Sequence, residues 1–475
     1  WSIFSKGFRR QIIRDKSLSE SVPITNQFLR EFFIQLTNLA GDGPADLDFD
    51  DFGFEDLISM LNSTNMEKIV AEFGTQFQGG SEDPVIHFYE TFLSKYDQKK
   101  RAERGVFYTP QPVVSFIVRS IDQILKEKFQ LDDGLADTAS WNDVVKLNPN
   151  LDIPEGVNSN DPFVKILDPA TGTGTFLIEV IKQIHHNLDQ KWRSIGHSKS
   201  EITEKWNKYV HDELFRRIYG FELLMAPYSI AHMKINLLLT QLGVNNQSMK
   251  RANIFLTNTL QQPSQLAKWI PSFIASETKI VNKIKEKEVF TVILGNPPYS
   301  ANSSNLAPEI SDLIRTDYYP NDQIKEQNPK LLLDDYMKFI KYTDTILDRT
   351  NAAVRGLIVN HGFIDNPTFR KFRQYQMSKW NCIHCVDLHG NSLRKEKSPD
   401  GSADKNVFDI KQGVGILMSH KVGIVESECC EVFCSDIWGV RDKKYQELIS
   451  NDISSLDNEL ANPSEIFYLF KNQNL

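Results

Sequence analysis

Cysteine is scarce: the chain has five in 475 residues, unevenly placed. That is too few for a disulfide framework and points to a reducing, cytoplasmic setting. No run approaches the ~18 uninterrupted apolar residues of a membrane span. No charged-then-apolar leader follows Trp1, so the chain reads as a processed or excised piece, not a secretory precursor. Internal repeats and low-complexity tracts are missing too. Positive charge is in deficit, with 54 Lys+Arg against 62 Asp+Glu and a net charge of −8. Six of those eight charges fall in residues 1–100, which hold 10 Lys+Arg and 16 Asp+Glu. An acidic total does not favour nucleic-acid binding, but a local basic groove is compatible with it.

What is present suits a packed protein. The chain is 40% hydrophobic and 24% charged, and 30 Phe with 7 Trp supply a large core. Disorder as the dominant state is excluded, and the length suggests two or three domains. Residues 1–100 read as mostly helical, with apolar residues at helical spacing over 25–38 and 85–96. The acidic tract from Asp42 to Asp56 does not fit a calcium loop. Counted from Asp46, the position that needs Gly is Asp51 and the one that needs Glu is Leu57. Lys99, Lys100, Arg101 and Arg104 form either a solvated helix end or a phosphate contact.

From about residue 105 strands and helices alternate, which predicts an α/β fold with a doubly wound, mostly parallel sheet behind a small helical domain. The predicted strands are 163–167, 218–221, 254–256, 289–294 and 356–360. A helix is predicted from Pro110 to about Phe129, with Thr109 as its N-cap. Another is predicted from about Ala226 to Leu242, stopped by Gly243. Residues 190–212 and 300–330 read as long polar connections.

Three segments carry chemistry. Lys165 to Phe176 reads as strand, glycine loop and helix start, where bare backbone N–H groups can approach a ligand. Leu177 stands where a dinucleotide fingerprint would want a third small residue, which counts against a nicotinamide cofactor. Glu222 ends the second strand, where an acid can accept both ribose hydroxyls of a nucleoside. Asn296-Pro297-Pro298-Tyr299 ends another strand. Its prolines fix the backbone and remove N–H donors, which leaves carbonyls and the Asn amide to meet a ligand beside a stacking ring. Asp168, Glu222, Asn258 and Asn296 all follow apolar strands, so a doubly wound sheet would line them along its carboxyl edge.

In this order, Tyr108-Thr109-Pro110, the Asp168–Phe176 loop, Glu222 and Asn296–Tyr299 resemble the gamma group of amino-group DNA methyltransferases, which make N6-methyladenine. The wider context is similar to the methyltransferase part, with some of the coupler, of type ISP restriction-modification enzymes. That likeness lies in His87–Glu90, Arg104–Pro110, Asn360–Gly362, Asn366–Arg370, Asp387–Ser392 and Asn406–Ile410, and it covers about 85–475. It implies a domain order of 1–100 helical and coupler-like, 101–445 methyltransferase, and 446–475 an extension towards a target-recognition domain. A bacterial, cytoplasmic setting would go with it.

The resemblance further implies that Tyr108, Thr109 and Pro110 line a pocket for S-adenosyl-L-methionine (AdoMet). Asp168, Pro169, Ala170, Thr171, Gly172, Thr173, Gly174, Thr175 and Phe176 would hold its methionine part. Glu222 would bind its ribose, and Asn258, where many relatives carry Asp, its adenine; Asn296 borders the same pocket. Asn296 and the Pro297 carbonyl, held by Pro298, would accept from the adenine amino group and aim its lone pair at the methyl. The base would first leave the duplex and stack on Tyr299, with Phe369 as a second stacking aromatic or as core. Double-stranded DNA and further target-recognition, helicase and nuclease domains, in the same polypeptide or in trans, would be the partners, with no membrane. A full recognition domain does not fit after the sheet, so poor DNA recognition by this chain alone is expected.

Rival readings are methyl transfer to protein glutamine or to cytosine N4, and a catalytically silent scaffold coupling DNA recognition to a motor. A cytosine-C5 enzyme would need a nucleophilic cysteine, typically in Pro-Cys, and no Pro-Cys occurs. No metal site is expected. Cys382 and Cys385 flank His384, but 381–387 reads as a strand, on which residues three apart face opposite ways. His211, His232 and His361 read as structural.

Overall fold

The computed structural model describes residues 109–245, 250–262, 272–299, 307–319, 329–425, 430–463 and 467–472. The expectations for 1–100, the basic cluster at 99–104 and Tyr108 lie outside the described residues.

Nine strands form one sheet: β1 Ile166–Asp168, β2 Ile218–Glu222, β3 Asn253–Leu256, β4 Val292–Gly295, β5 Ala352–Asn360, β6 Cys382–Asp387, β7 Val414–Val422, β8 Glu431–Asp436 and β9 Glu459–Leu460. Their spatial order is β3-β2-β1-β4-β5-β7-β6-β8-β9. The first five are parallel; β7 runs antiparallel between β5 and β6, and β8 is parallel to β6. The strand order turns back at β1, between β2 and β4, which is where doubly wound sheets open a crevice at their carboxyl edge.

The central strands are buried on both faces, and their residues are mostly apolar. Alternate residues separate into two cores. Ile166, Ile218, Ile254, Val292, Leu294 and Val354 face one core, while Leu167, Phe221, Phe255, Ile293 and Leu357 face the other. Helices α1 (Gln111–Phe129), α2 (Thr175–Ser194) and α3 (Met225–Gln241) cover the first face. Helices α4 (Ser272–Lys287), α5 (Pro308–Asp317), α6 (Asp335–Leu347) and α7 (Arg370–Met377) cover the second. Helix α8 (Arg441–Ser450) packs on α1. Among the described residues no helix is long and apolar enough to cross a membrane.

Three local expectations change. Helix α1 is capped by Pro110, whose carbonyl accepts from the Val113 and Val114 N–H groups, so Thr109 is not its cap. The connection expected at 190–212 is largely helical, since Lys199–Tyr209 forms a helix. The Ser198 hydroxyl accepts from the Glu201 N–H and the Glu201 carboxylate from the Ser198 N–H, a capping box. Ile202, Trp206 and Tyr209 bury one face of that helix. The connection expected at 300–330 contains α5, anchored by buried Ile310 and Ile314.

Candidate active site

Four adjacent strand ends build the site, in the spatial order β3, β2, β1, β4. Asp168 closes β1 and is fully buried. Its Oδ1 accepts from the Ala170 N–H at 3.1 Å, and its Oδ2 is buried with no hydrogen-bond partner. Burial, with the nearby Glu222 carboxylate adding to it, pushes the Asp168 carboxyl up to about 8.

The following loop is pinned at Thr171, whose N–H donates to the Phe221 carbonyl and whose hydroxyl donates to the Asp168 carbonyl. Gly172 and Gly174 take left-handed conformations, φ 55° and 84°. A Cβ on Gly174 would also sit 3.2 Å from the Ala231 Cβ, so α2 and α3 cross closely here. Gly174 is the N-cap of α2 and gives it no side-chain cap. The first N–H groups of that helix therefore carry no covering side-chain acceptor.

Glu222 closes β2. One carboxylate oxygen accepts from the Gly172 N–H at 2.8 Å and the other from the Leu224 N–H at 2.6 Å. Burial raises its pKa. Each oxygen keeps a second lone pair for an outside donor. The carboxylate thus ties the glycine loop to the exit of β2.

Asn258 lies just beyond β3, and its Oδ1 accepts from the Leu260 N–H at 3.1 Å. Two residues not singled out from the sequence hold this turn. Lys285 of α4 donates to the carbonyls of Asn258 and Gln261 at 2.7 and 3.0 Å, over the Phe221 ring. Burial pulls its ammonium down to about 8. Thr259 donates its hydroxyl hydrogen to the Pro169 carbonyl at 2.6 Å, joining the β3 turn to the β1 loop.

β4 delivers Asn296. Gly295 packs against Asp168 so tightly that a Cβ there would lie 2.9 Å from Oδ1. Asn296 is therefore the next residue along from the glycine loop's buried carboxylate. Its Nδ2 donates to the Thr109 hydroxyl oxygen at 2.9 Å, across 187 residues of sequence. Tyr299 is buried, with its hydroxyl on the Ile358 carbonyl of β5 at 2.9 Å and its ring 6.5 Å from Tyr336. Phe369 is also buried in that core, edge-on to Phe372 at 6.4 Å.

The structure thus brings Thr109, Asp168, the 169–176 loop, Glu222, Asn258 and Asn296 to one edge, and places Tyr299 and Phe369 in one hydrophobic cluster beneath the second face. Tyr108 lies outside the described residues. An orphaned carboxylate oxygen, a bare helix N-terminus and an acid on the neighbouring strand suit a ligand that carries a positive charge, a carboxylate and vicinal hydroxyls.

Comparison with known proteins is consistent with this chemistry. Residues 216–393 match the Eco57I restriction-modification methylase family, and 80–141 match the N-6 DNA methylase family. A putative type II restriction enzyme and methyltransferase of Methanocaldococcus jannaschii is 23% identical over 186 residues, covering 37% of this chain and 15% of that protein. The DNA-bound type ISP restriction-modification enzyme LlaBIII superimposes with a TM-score of 0.61 and 23% identity over 82% of this chain. A nuclease-deletion mutant of the type ISP enzyme LlaGI, in complex with a DNA substrate mimic, gives 0.62 and 21% over 96%. The chain spans 24% and 33% of those two structures. The resemblance to restriction-modification methylases therefore rests on family matches, and that to type ISP enzymes on fold.

Proposed function

We propose that this chain is the methyltransferase part of a restriction-modification enzyme and that it methylates the N6 amino group of adenine in DNA, with AdoMet as donor. The observation that carries the reading is the position of Asn296: it follows Gly295, which packs on Asp168, and its amide is oriented by Thr109.

The residues present suit AdoMet, which would supply a methyl group made electrophilic by its positive sulfur. Asp168 Oδ2 offers an acceptor to the ammonium of the methionine part, and a cation there would draw the carboxyl back to its charged form. The α2 N-terminus and the Gly172–Gly174 backbone suit the carboxylate. Glu222 keeps lone pairs for the ribose, and Asn258 lies at the next strand end for the adenine ring.

On the acceptor side, the adenine amine is a poor nucleophile because its lone pair is delocalised into the ring. The Asn296 Oδ1 and the Pro297 carbonyl would accept its two hydrogens, localise the pair and aim it. With Nδ2 committed to Thr109, the amide's orientation is fixed, so the acceptor geometry would be set before the base arrives. Tyr299, tethered at Ile358, would stack on the extruded base, with Phe369 as the second aromatic of that pocket.

Asn296→Ala is expected to cut methyl transfer roughly a hundred- to thousand-fold while calorimetric AdoMet binding stays within a few-fold. Equal loss of both would overturn the assigned role. Sequencing of modified bases in DNA from cells expressing the full gene then reads the product. N6-methyladenine supports the proposal, whereas N4-methylcytosine, or label only in protein, replaces it.

A further inference from the structure

A second cluster of ligand-forming side chains lies away from this edge. On the sheet face that carries α1, Cys382 and His384 are two residues apart on β6 and so point the same way. His420 of β7 stands directly opposite Cys382 in the antiparallel register. One ligand atom from each of the three falls within 4.8 Å of the other two. Cys382 Sγ lies 3.3 Å from His384 Nε2. His420 is 6% exposed, and its Nδ1 is buried without a hydrogen-bond partner.

A second group, His361, Asp387 and His389, is equally compact. Most of its ring nitrogens already meet one another or nearby polar groups. His361 Nδ1 meets Asp387 Oδ1 at 3.0 Å, His361 Nε2 meets the Asn391 amide at 3.2 Å, and His389 Nε2 meets Asp436 at 2.6 Å. The Cys382 cluster differs in offering a thiol beside two imidazoles and in the buried, unpartnered Nδ1 of His420.

We propose that Cys382, His384 and His420 form a binding site for a soft divalent cation, zinc above all. One thiolate and two imidazoles are a zinc donor set, and three protein ligands leave a fourth tetrahedral position for solvent. Binding takes up one metal ion and releases one proton, that of the Cys382 thiol. Burial, with Glu431 adding to it and Lys128 opposing it, pushes the Cys382 thiol up to about 12, so the metal has to displace a firmly held proton. Cys382 opens β6, whereas the carboxyl edge begins at Asp387, so the ion would clasp β6 to β7 at the end remote from Asn296. The pleat that separates Cys382 from Cys385 does not prevent this, because the partners of Cys382 are two residues along and one strand across.

The test uses the 475-residue chain, loaded with zinc, desalted and measured by elemental mass spectrometry. About one zinc per chain is expected. Cys382→Ser and His420→Asn should lose it, while Cys385→Ser, on the opposite face, should keep it. No retained zinc in the unmodified chain overturns the proposal, as does equal retention in all variants. X-ray absorption of the zinc-loaded unmodified chain gives a reading that no variant's folding affects. One sulfur among light-atom ligands supports the site, and a sulfur-free or two-sulfur shell overturns it.

Discussion

Asp168 is an acid in a place that water does not reach, and its neighbours dictate how the site answers to pH. Burial and Glu222 raise its carboxyl to about 8, far above its value in an unfolded chain. Between the ordinary carboxylate range and about pH 8 the folded state therefore holds more protons than the unfolded one, and rising pH removes stability from the ligand-free protein. Thermal unfolding across that window should show a falling Tm, flattened in Asp168→Asn. A cationic ligand needs the charged form, so AdoMet affinity should climb with pH and level off near 8; a calorimetric profile flat in the unmodified protein would refute the pairing. Thr109 is testable by an isostere. Thr109→Val removes the acceptor for Asn296 Nδ2 and should lower kcat about tenfold with cofactor affinity unchanged, and Thr109→Ser should restore it. A loss that Ser does not rescue would make Thr109 packing alone.

At the scale of elements, the second face of the sheet is locked by a buried ionic knot. Arg355 of β5 donates to Asp344 of α6 at 2.6 Å, to Gln376 of α7 at 2.6 Å and to Ser419 of β7 at 3.2 Å, beneath Trp380. Tyr318 donates to the other Asp344 oxygen at 2.7 Å. Asp344→Ala leaves a buried guanidinium uncompensated and should cost about 3–5 kcal/mol, read as a lower urea midpoint with unchanged slope. Much of the element plan was legible. The runs that predicted β1, β2, β3, β4 and β5 sit on the observed strands, with ends shifted by a few residues because neighbouring strands, not propensity, decide where pairing starts. The helix Lys199–Tyr209 was missed, although Ser198-x-x-Glu201 and the spacing of Ile202, Trp206 and Tyr209 are its signals; the charged residues between them made the stretch read as a polar connection. The insertion of β7 between β5 and β6 was not legible, since strand order is a long-range choice. Nor was the bond from Thr109 to Asn296, whose partners are 187 positions apart and whose donor pattern looks like an ordinary helix start.

At the scale of the molecule, the strand ends were foreseen as a set because alternating helices and strands force every polar exit to one edge, whereas the two turn-holders Lys285 and Thr259 were not, since neither carries a motif. The chain spans only 24% and 33% of the two DNA-bound neighbours. β1 and β4 are neighbours in the sheet, yet Asp168 and Asn296 at their ends are 128 positions apart in sequence. At ribosomal speed that gap is about ten seconds of elongation. A nascent chain thus exposes its glycine loop well before Asn296 is made, and under the proposed function a half-translated polypeptide would bear no modification activity.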